Sequence, residues 1–229
     1  MDKLSRIRML MGDAAVERIQ NATVMVVGCG AVGSFAIEAL ARCGVGHLIL
    51  VDHDVVEESN INRQLFALQS TIGMPKVDVA RARIHDINTD TRVDAHKIFF
   101  DDNFNLDVGP SFVIDAIDTT ESKIALYRWC GARNIPFISS MGAARKTKIS
   151  EIKIAPITKT SVCPLASKIR RIVRDEKIPP FDVVYSTEVA TPVTADAGAH
   201  VFGSIITVTG TFGLAIAGYV IDRVAGCKK

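Results

Sequence analysis

Between Val24 and Lys76 the chain combines a glycine-rich turn with a series of phosphate-binding side chains. Gly28-Cys29-Gly30-Ala31-Val32-Gly33 has the G-x-G-x-x-G spacing, which lets a phosphate approach the backbone and aims a helix N-terminus at its charge. Asp52 follows roughly twenty residues later, where a carboxylate accepts hydrogen bonds from ribose hydroxyls. Glycines that serve only tight strand–helix packing are the competing explanation. A dinucleotide would use the same cradle, so Asn62-Arg63-Gln64 and Lys76 decide between ligands. A triphosphate needs several cations because its dense charge loses water on entering a site. Arg63 can clamp phosphate oxygens bidentately, Lys76 can supply a point charge and Asn62 can donate from its amide. Each of them taken alone is also compatible with a solvated loop; as a set they point to ATP and to adenylylation rather than hydride transfer.

Asp115 and Asp118 stand at the end of an apolar run, Val113-Ile114-Asp115-Ala116-Ile117-Asp118, and open α/β sheets bind ligands at that edge. Mg²⁺ commonly takes one or two protein carboxylates beside phosphates and waters, and Asp118 is the expected metal-side carboxylate. A cap on the helix that begins at Thr119-Thr120 is a second role open to Asp118.

These groups need a scaffold, and the hydrophobic spacing supplies one. Strands are expected at Thr23 to Gly28, His47 to Asp52, Arg92 to Ile98, Phe112 to Ile117 and Pro136 to Ser140. Helices are expected at Ala31 to Cys43, from Pro75 to Ile87 with the proline in the first turn, and at Thr120 to Arg133. After Met141 come an amphipathic strand at Lys148 to Ile154, a helix at Pro164 to Lys177 with Leu165, Ile169, Ile172 and Val173 on one face, and a strand at Asp182 to Ser186. The fold class is therefore α/β, Rossmann-like, with a mostly parallel sheet covered by helices on both faces and antiparallel strands added in the C-terminal part. No internal repeat or linker divides it, so 1–229 is expected to form a single ATP-binding domain, with 1–145 as the nucleotide-binding core and 146–229 as a substrate-facing extension.

The chain has 229 residues, 48% of them hydrophobic, enough for a sizeable core. Its five cysteines, Cys29, Cys43, Cys130, Cys163 and Cys227, form no C-x-x-C pair and no even framework, which argues against a structural zinc site or a disulfide scaffold and fits a reducing cytoplasm. The charged N-terminus, Met1 to Arg8, lacks the apolar core of a secretion signal. Val201 to Ile221 carries no charge and is as long as a bilayer span, but its glycines and hydroxyl residues fit a buried element better, and no stable membrane span is expected. The formal net charge is only +2, yet residues 141–180 hold ten Lys and Arg against three acids, which suggests a polyanionic partner on one side of the molecule.

Several of these segments resemble a known family. Gly28 to Ser34, Asp52-His53-Asp54, Ser59 to Gln64, Gly73-Met74-Pro75-Lys76 and Asp115-Ala116-Ile117-Asp118 are similar to the adenylation domain of the ubiquitin-activating-enzyme-like (ThiF/MoeB-type) adenylyltransferase superfamily. Over nearly the whole length the chain resembles the tRNA threonylcarbamoyladenosine dehydratase subfamily, through Asn62 to Leu68, Ser139 to Ala144, Pro164 to Lys168 and Tyr185 to Glu188. The resemblance implies an ATP- and Mg²⁺-dependent homodimer in the cytoplasm that activates a carboxylate as its acyl-adenylate. By that resemblance Gly28, Gly30 and Gly33 would line the nucleotide loop, Asp52 would hold the ribose, Asn62, Arg63 and Lys76 would bind phosphates, and Asp118 would hold Mg²⁺ or position the attacking carboxylate; Ala31, Asp54 and Gln64 complete the implied cofactor-binding set. Arg6 matches an arginine that partner subunits contribute to the neighbouring site, although the preceding pair is here Lys3-Leu4.

Two departures from the family pattern matter. The chain looks trimmed around 175–200 and at its C-terminus, and Cys163 stands where relatives often carry an acid. Cys163 is weighed as a nucleophile, with Lys159, Lys168 and a helix N-terminus nearby to favour the thiolate, against an exposed loop cysteine with no role. The implied substrate is a threonylcarbamoyladenosine-bearing tRNA anticodon loop, whose carboxylate is adenylylated before a nucleophile in the same modification closes a ring. The alternative is adenylylation of a ubiquitin-like sulfur carrier, with that protein or a sulfurtransferase as partner. A non-catalytic nucleotide-sensing module would explain the glycines and Asp52 but not Arg63, Lys76 and Asp118 together.

Overall fold

The computed structural model describes residues 2–106, 109–192 and 202–227; residues 193–200 and Val201 lie outside that range. Its centre is a seven-stranded sheet in the order β3-β2-β1-β4-β5-β7-β6. The strands are β1 (Thr23–Val27), β2 (His47–Val51), β3 (Arg92–His96), β4 (Phe112–Asp115), β5 (Phe137–Ser140), β6 (Ile152–Pro156) and β7 (Asp182–Ser186). All neighbours run parallel except β6 and β7, which pair antiparallel from Ile152↔Ser186 to Pro156↔Asp182. The Rossmann-like expectation thus holds, and both strands of the 146–229 segment extend the same sheet.

Alternation along the strands sends side chains to two layers. Val24 and Val26 of β1, Leu48 and Leu50 of β2 and Ile114 of β4 face α2 (Asp13–Gln20), α3 (Gly33–Arg42), α4 (Lys76–Ile87) and α7 (Ile206–Val224). Met25, Val27, Ile49, Val51 and Val113 point the other way, toward α5 (Thr120–Arg133), and α6 (Pro164–Asp175) packs beside α5 over β7. From Ile206 onward the uncharged C-terminal segment forms the core helix α7, which lays Val208, Phe212, Ile216 and Val220 against α3 and the sheet. No helix among the described residues is long and apolar enough to cross a membrane.

Local chemistry shifts several boundaries. Pro75 is the cap before α4 rather than a residue of its first turn. β4 stops at Asp115, two residues short of Ile117, because the Ile117 N–H donates to Asp115 Oδ1 at 3.0 Å and turns the chain. Pairing with β7 sets the limits of β6, so Ile149–Glu151 form a short 3₁₀ turn where a strand is expected. Two N-terminal helices, α1 (Ser5–Met11) and α2, have no counterpart among the expected elements. Ala15, Val16 and Ile19, the buried stripe of α2, carry helical spacing that would have revealed it.

Candidate active site

A cavity of about 670 Å³ opens at the C-terminal ends of β1, β2, β4 and β5. It straddles β1 and β4, where the strand order reverses and the connecting segments diverge to leave a crevice. Gly28 has φ of +96°, and a Cβ there would stand 2.6 Å from the Ala116 carbonyl oxygen, so only glycine lets the loop after β1 pass the loop after β4. Gly28, Gly30 and Ala31 line the cavity. Gly33 does not; a Cβ on it would sit 1.7 Å from the Gly28 carbonyl oxygen, which makes it the contact that seats α3 against the loop.

Asp52 is buried, with Oδ2 accepting from the Cys29 N–H at 2.6 Å and Oδ1 from the Asp54 N–H at 2.9 Å. One carboxylate therefore ties the glycine loop to the turn after β2, and its oxygens keep acceptor capacity for ribose hydroxyls. Cys29 is a poor nucleophile here, because burial, with the Asp52 charge beside it, pushes its thiol well up. Lys76 starts α4 with its side chain almost fully buried, and its Nζ lies 2.7 Å from Asp54 Oδ2. Arg63 Nη1 donates to the Ser59 carbonyl at 2.7 Å and to Asn62 Oδ1 at 2.9 Å, while the Asn62 amide donates to the Ser204 carbonyl at 3.0 Å. Arg63, Gln64 and Lys76 line the cavity; Asn62 lies outside its wall and serves as a strut between Arg63 and the chain before α7.

Asp118 is exposed at the cavity wall, and none of the described residues hydrogen-bonds its carboxylate. It does not cap α5, whose N-cap is Thr119. Asp115 has no exposure at all: Lys123 Nζ lies 2.8 Å from its Oδ2, and the Tyr127 hydroxyl donates to the same oxygen at 3.0 Å. Lys123 also donates to the Ser140 carbonyl at 2.8 Å. This knot locks β4, α5 and β5 together, and burial next to Asp115 holds the Tyr127 phenol well above its ordinary range. Asp52, His53 and Asp54 bring ligand atoms within 4.8 Å of one another, yet Asp52 is engaged by two backbone N–H groups and Asp54 by Lys76. The uncommitted carboxylate that suits a hard cation held jointly by phosphates is Asp118.

Cys163 is a buried cavity residue rather than an exposed loop cysteine; it precedes α6 as its N-cap, next to Pro164 at the first helical position. Lys146 shares that wall, donating to the Ser186 carbonyl at 2.9 Å, and burial pulls its ammonium below the usual lysine range against the opposing pull of Cys163 and Glu188. Arg6 is exposed on α1 and does not reach the cavity of its own chain.

The residues missed by sequence reasoning are mostly apolar. Ile98, Phe99, Phe100 and Ile117 form an apolar part of the cavity wall, with the His53 ring set edge-on to Phe99 at 4.8 Å. Ile98 and Ile117 are expected as the last residues of two strands, and Phe99 and Phe100 follow Ile98 in an apolar run that carries no further signal. Outside the cavity mouth, Lys148, Lys153, Lys159, Arg171 and Lys177 are exposed and make no ion pair among the described residues, whereas Arg170 is tied to the Thr160 carbonyl at 2.8 Å.

The ThiF family matches residues 4–229 of the chain. The tRNA threonylcarbamoyladenosine dehydratase of Bacillus subtilis (strain 168) is 47% identical over 192 residues, which span 82% of this chain and 76% of that protein. Its namesake in Escherichia coli (strain K12) is 34% identical across 93% of this chain and 90% of its own. The crystal structure of the E. coli tRNA N6-threonylcarbamoyladenosine dehydratase in complex with ATP superposes with a TM-score of 0.89 at 33% identity, covering 98% of this chain and 94% of that one.

Proposed function

The chain belongs to the ThiF family, and from that premise we propose that it is an ATP-dependent dehydratase of threonylcarbamoyladenosine in tRNA, the activity named for the relatives it matches over most of its length. One observation carries the reading: a single cavity brings together the ribose-type carboxylate Asp52, the cations Arg63 and Lys76 and the uncommitted carboxylate Asp118. In it, adenine lies against Ile98, Phe99, Phe100 and Ile117, the ribose hydroxyls meet Asp52, and the phosphates extend toward Arg63, Gln64 and Lys76.

The carboxylate of the modified nucleoside attacks the α-phosphorus, forming the acyl-adenylate as pyrophosphate leaves. Arg63 and Lys76 offset the charge that develops on the leaving group. Asp118 is the residue that would hold Mg²⁺, which would supply further charge neutralisation when bound. A nucleophile within the same modification then displaces AMP and closes a ring, so the oxygen formally lost as water departs on AMP. The tether supplies the proximity that a second bound substrate would otherwise need, and no protein nucleophile is required. Cys163 is accordingly read as a wall residue of the substrate mouth.

The unpaired cations of the 146–229 extension give the tRNA backbone its contact surface, and binding there weakens steeply with salt. Arg6 reaches the site of a second copy in a homodimer, consistent with its position outside its own cavity and with Met9 and Leu10 exposed beside it on α1. We read the whole chain as a single adenylation domain working in the cytoplasm.

AMP formation tests the proposal. With Mg-ATP and tRNA carrying threonylcarbamoyladenosine, one AMP and one pyrophosphate should form per nucleoside, and Arg63→Ala and Asp118→Ala should each abolish both while leaving the circular dichroism spectrum intact. Unchanged turnover in either variant would remove that residue from the mechanism.

A further inference from the structure

Ser122 lies in the first turn of α5, is 3% exposed, lines the cavity, and has no hydrogen-bond partner in the protein for its hydroxyl. Serines in a helical turn usually satisfy themselves on a nearby backbone carbonyl, and this one does not. Its place on the helix fixes its surroundings. Ala125, Leu126 and Trp129 of α5 pack on Val27, Val51 and Phe100, and residues three and four apart share a helix face. Ser122 therefore extends that face by one turn, to the point where α5 meets the apolar wall of Ile98, Phe99, Phe100 and Ile117. It places a buried, unsatisfied hydroxyl on a surface otherwise suited to stacking, and a helix N-terminus adds a favourable field for a hydrogen-bond acceptor there.

We propose that Ser122 reads the base of the bound nucleotide, its Oγ–H donating to a ring nitrogen of the adenine. Phosphates do not fit this position, because the cavity's cations, Arg63, Lys76, Arg145 and Lys146, belong to the loop after β2, to α4 and to the loop after β5 rather than to this wall. The ring nitrogens of a purine carry in-plane lone pairs that a side chain at the base's edge can meet. The hydroxyl thus adds a polar test to a pocket whose remaining wall contacts are apolar. Ser122 is a specificity-determining residue, and the proposal rests on the reading of the cavity as the ATP site.

The test is equilibrium binding of ATP and of its 1-deaza, 3-deaza and 7-deaza analogues to the full chain and to Ser122→Ala. ATP should bind the variant about fivefold more weakly. For the analogue lacking the nitrogen that Ser122 contacts, the two proteins should bind equally. The unliganded variant should melt at the same temperature or higher, since a buried orphan hydroxyl has been removed, while its ATP-induced stabilisation falls. Equal ATP affinity in both proteins would overturn the role, and so would an equal loss for ATP and all three analogues or a lowered melting temperature without a change in affinity. Failure of the unaltered chain to bind ATP at all would instead overturn the nucleotide reading beneath it.

Discussion

Lys76–Asp54 and Lys123–Asp115 are the same two residue types at 2.7 and 2.8 Å, but they sit in opposite surroundings. In the first pair the lysine is buried and the aspartate side chain is 48% exposed at the cavity mouth. In the second both side chains have no exposure, and Tyr127, Ser139 and the Ser140 carbonyl complete their hydrogen bonds. A buried charge that loses its partner cannot be rehydrated, whereas a half-exposed one can. The deep pair is thus a fixed joint of the fold, and the pair at the mouth can exchange its carboxylate for a phosphate.

The largest effect should come from breaking the joint. Lys123→Met leaves Asp115 charged and enclosed, and urea unfolding should show a loss of about 3–5 kcal/mol; a loss below about 1 kcal/mol would mean that water reaches Asp115. Next comes Lys76→Met, which should cut ATP-dependent AMP formation by about a hundredfold or more while changing unfolding free energy by less than about 1 kcal/mol. The reverse pattern in these two variants would erase the distinction between them. Asp54→Asn keeps the shape and removes only the charge that orients Lys76, so turnover should fall about tenfold, equivalent to roughly 1.4 kcal/mol. The smallest effect is expected at a third acid, Glu38, which is shared by Arg42 and Arg83 at 2.7 and 3.0 Å. Glu38→Gln should cost no more than about 1 kcal/mol, because both arginines stay largely hydrated. Partial burial works to raise the Glu38 carboxyl, but the bonds from Arg83 and Arg42 outweigh it and hold it below the usual 4.5. A depressed carboxylate stabilises the fold above its unfolded pKa and loses that contribution in acid, so the gap between the unaltered chain and Glu38→Gln should close as the pH falls below 4.5.

The two lysine pairs also mark where the sequence stopped being readable. Gly28, Gly30, Asp52 and Lys76 lie close along the chain at spacings dictated by one βα unit and the turn that follows, so their meeting at one cavity could be read from the order of residues. Asp115 and Asp118 lie three residues apart at and just beyond one strand end, and nothing in their spacing says that the first is sealed under α5 while the second faces the cavity. That depends on Lys123, Tyr127 and Ser139, which converge only after β4, α5 and β5 have packed. The base wall was hidden for the same reason: the expected strand runs to Ile98 although β3 ends at His96, and nothing in the spacing brings Phe99 and Phe100 to the cavity. Asn62 shows the converse, a residue of the right type in the right run that the fold employs as a strut. The uncharged segment before Ile221 was decided by packing, since α7 touches α3 and four strands of the sheet.

The most direct test of the account is mass spectrometry of tRNA nucleosides carrying threonylcarbamoyladenosine, incubated with the protein and Mg-ATP under conditions that protect a labile cyclic product. An ATP-dependent loss of one water from the modified nucleoside is expected, slowed about a hundredfold or more in Lys76→Met. An unchanged nucleoside mass in the presence of ATP, with the protein folded and nucleotide bound, would contradict it.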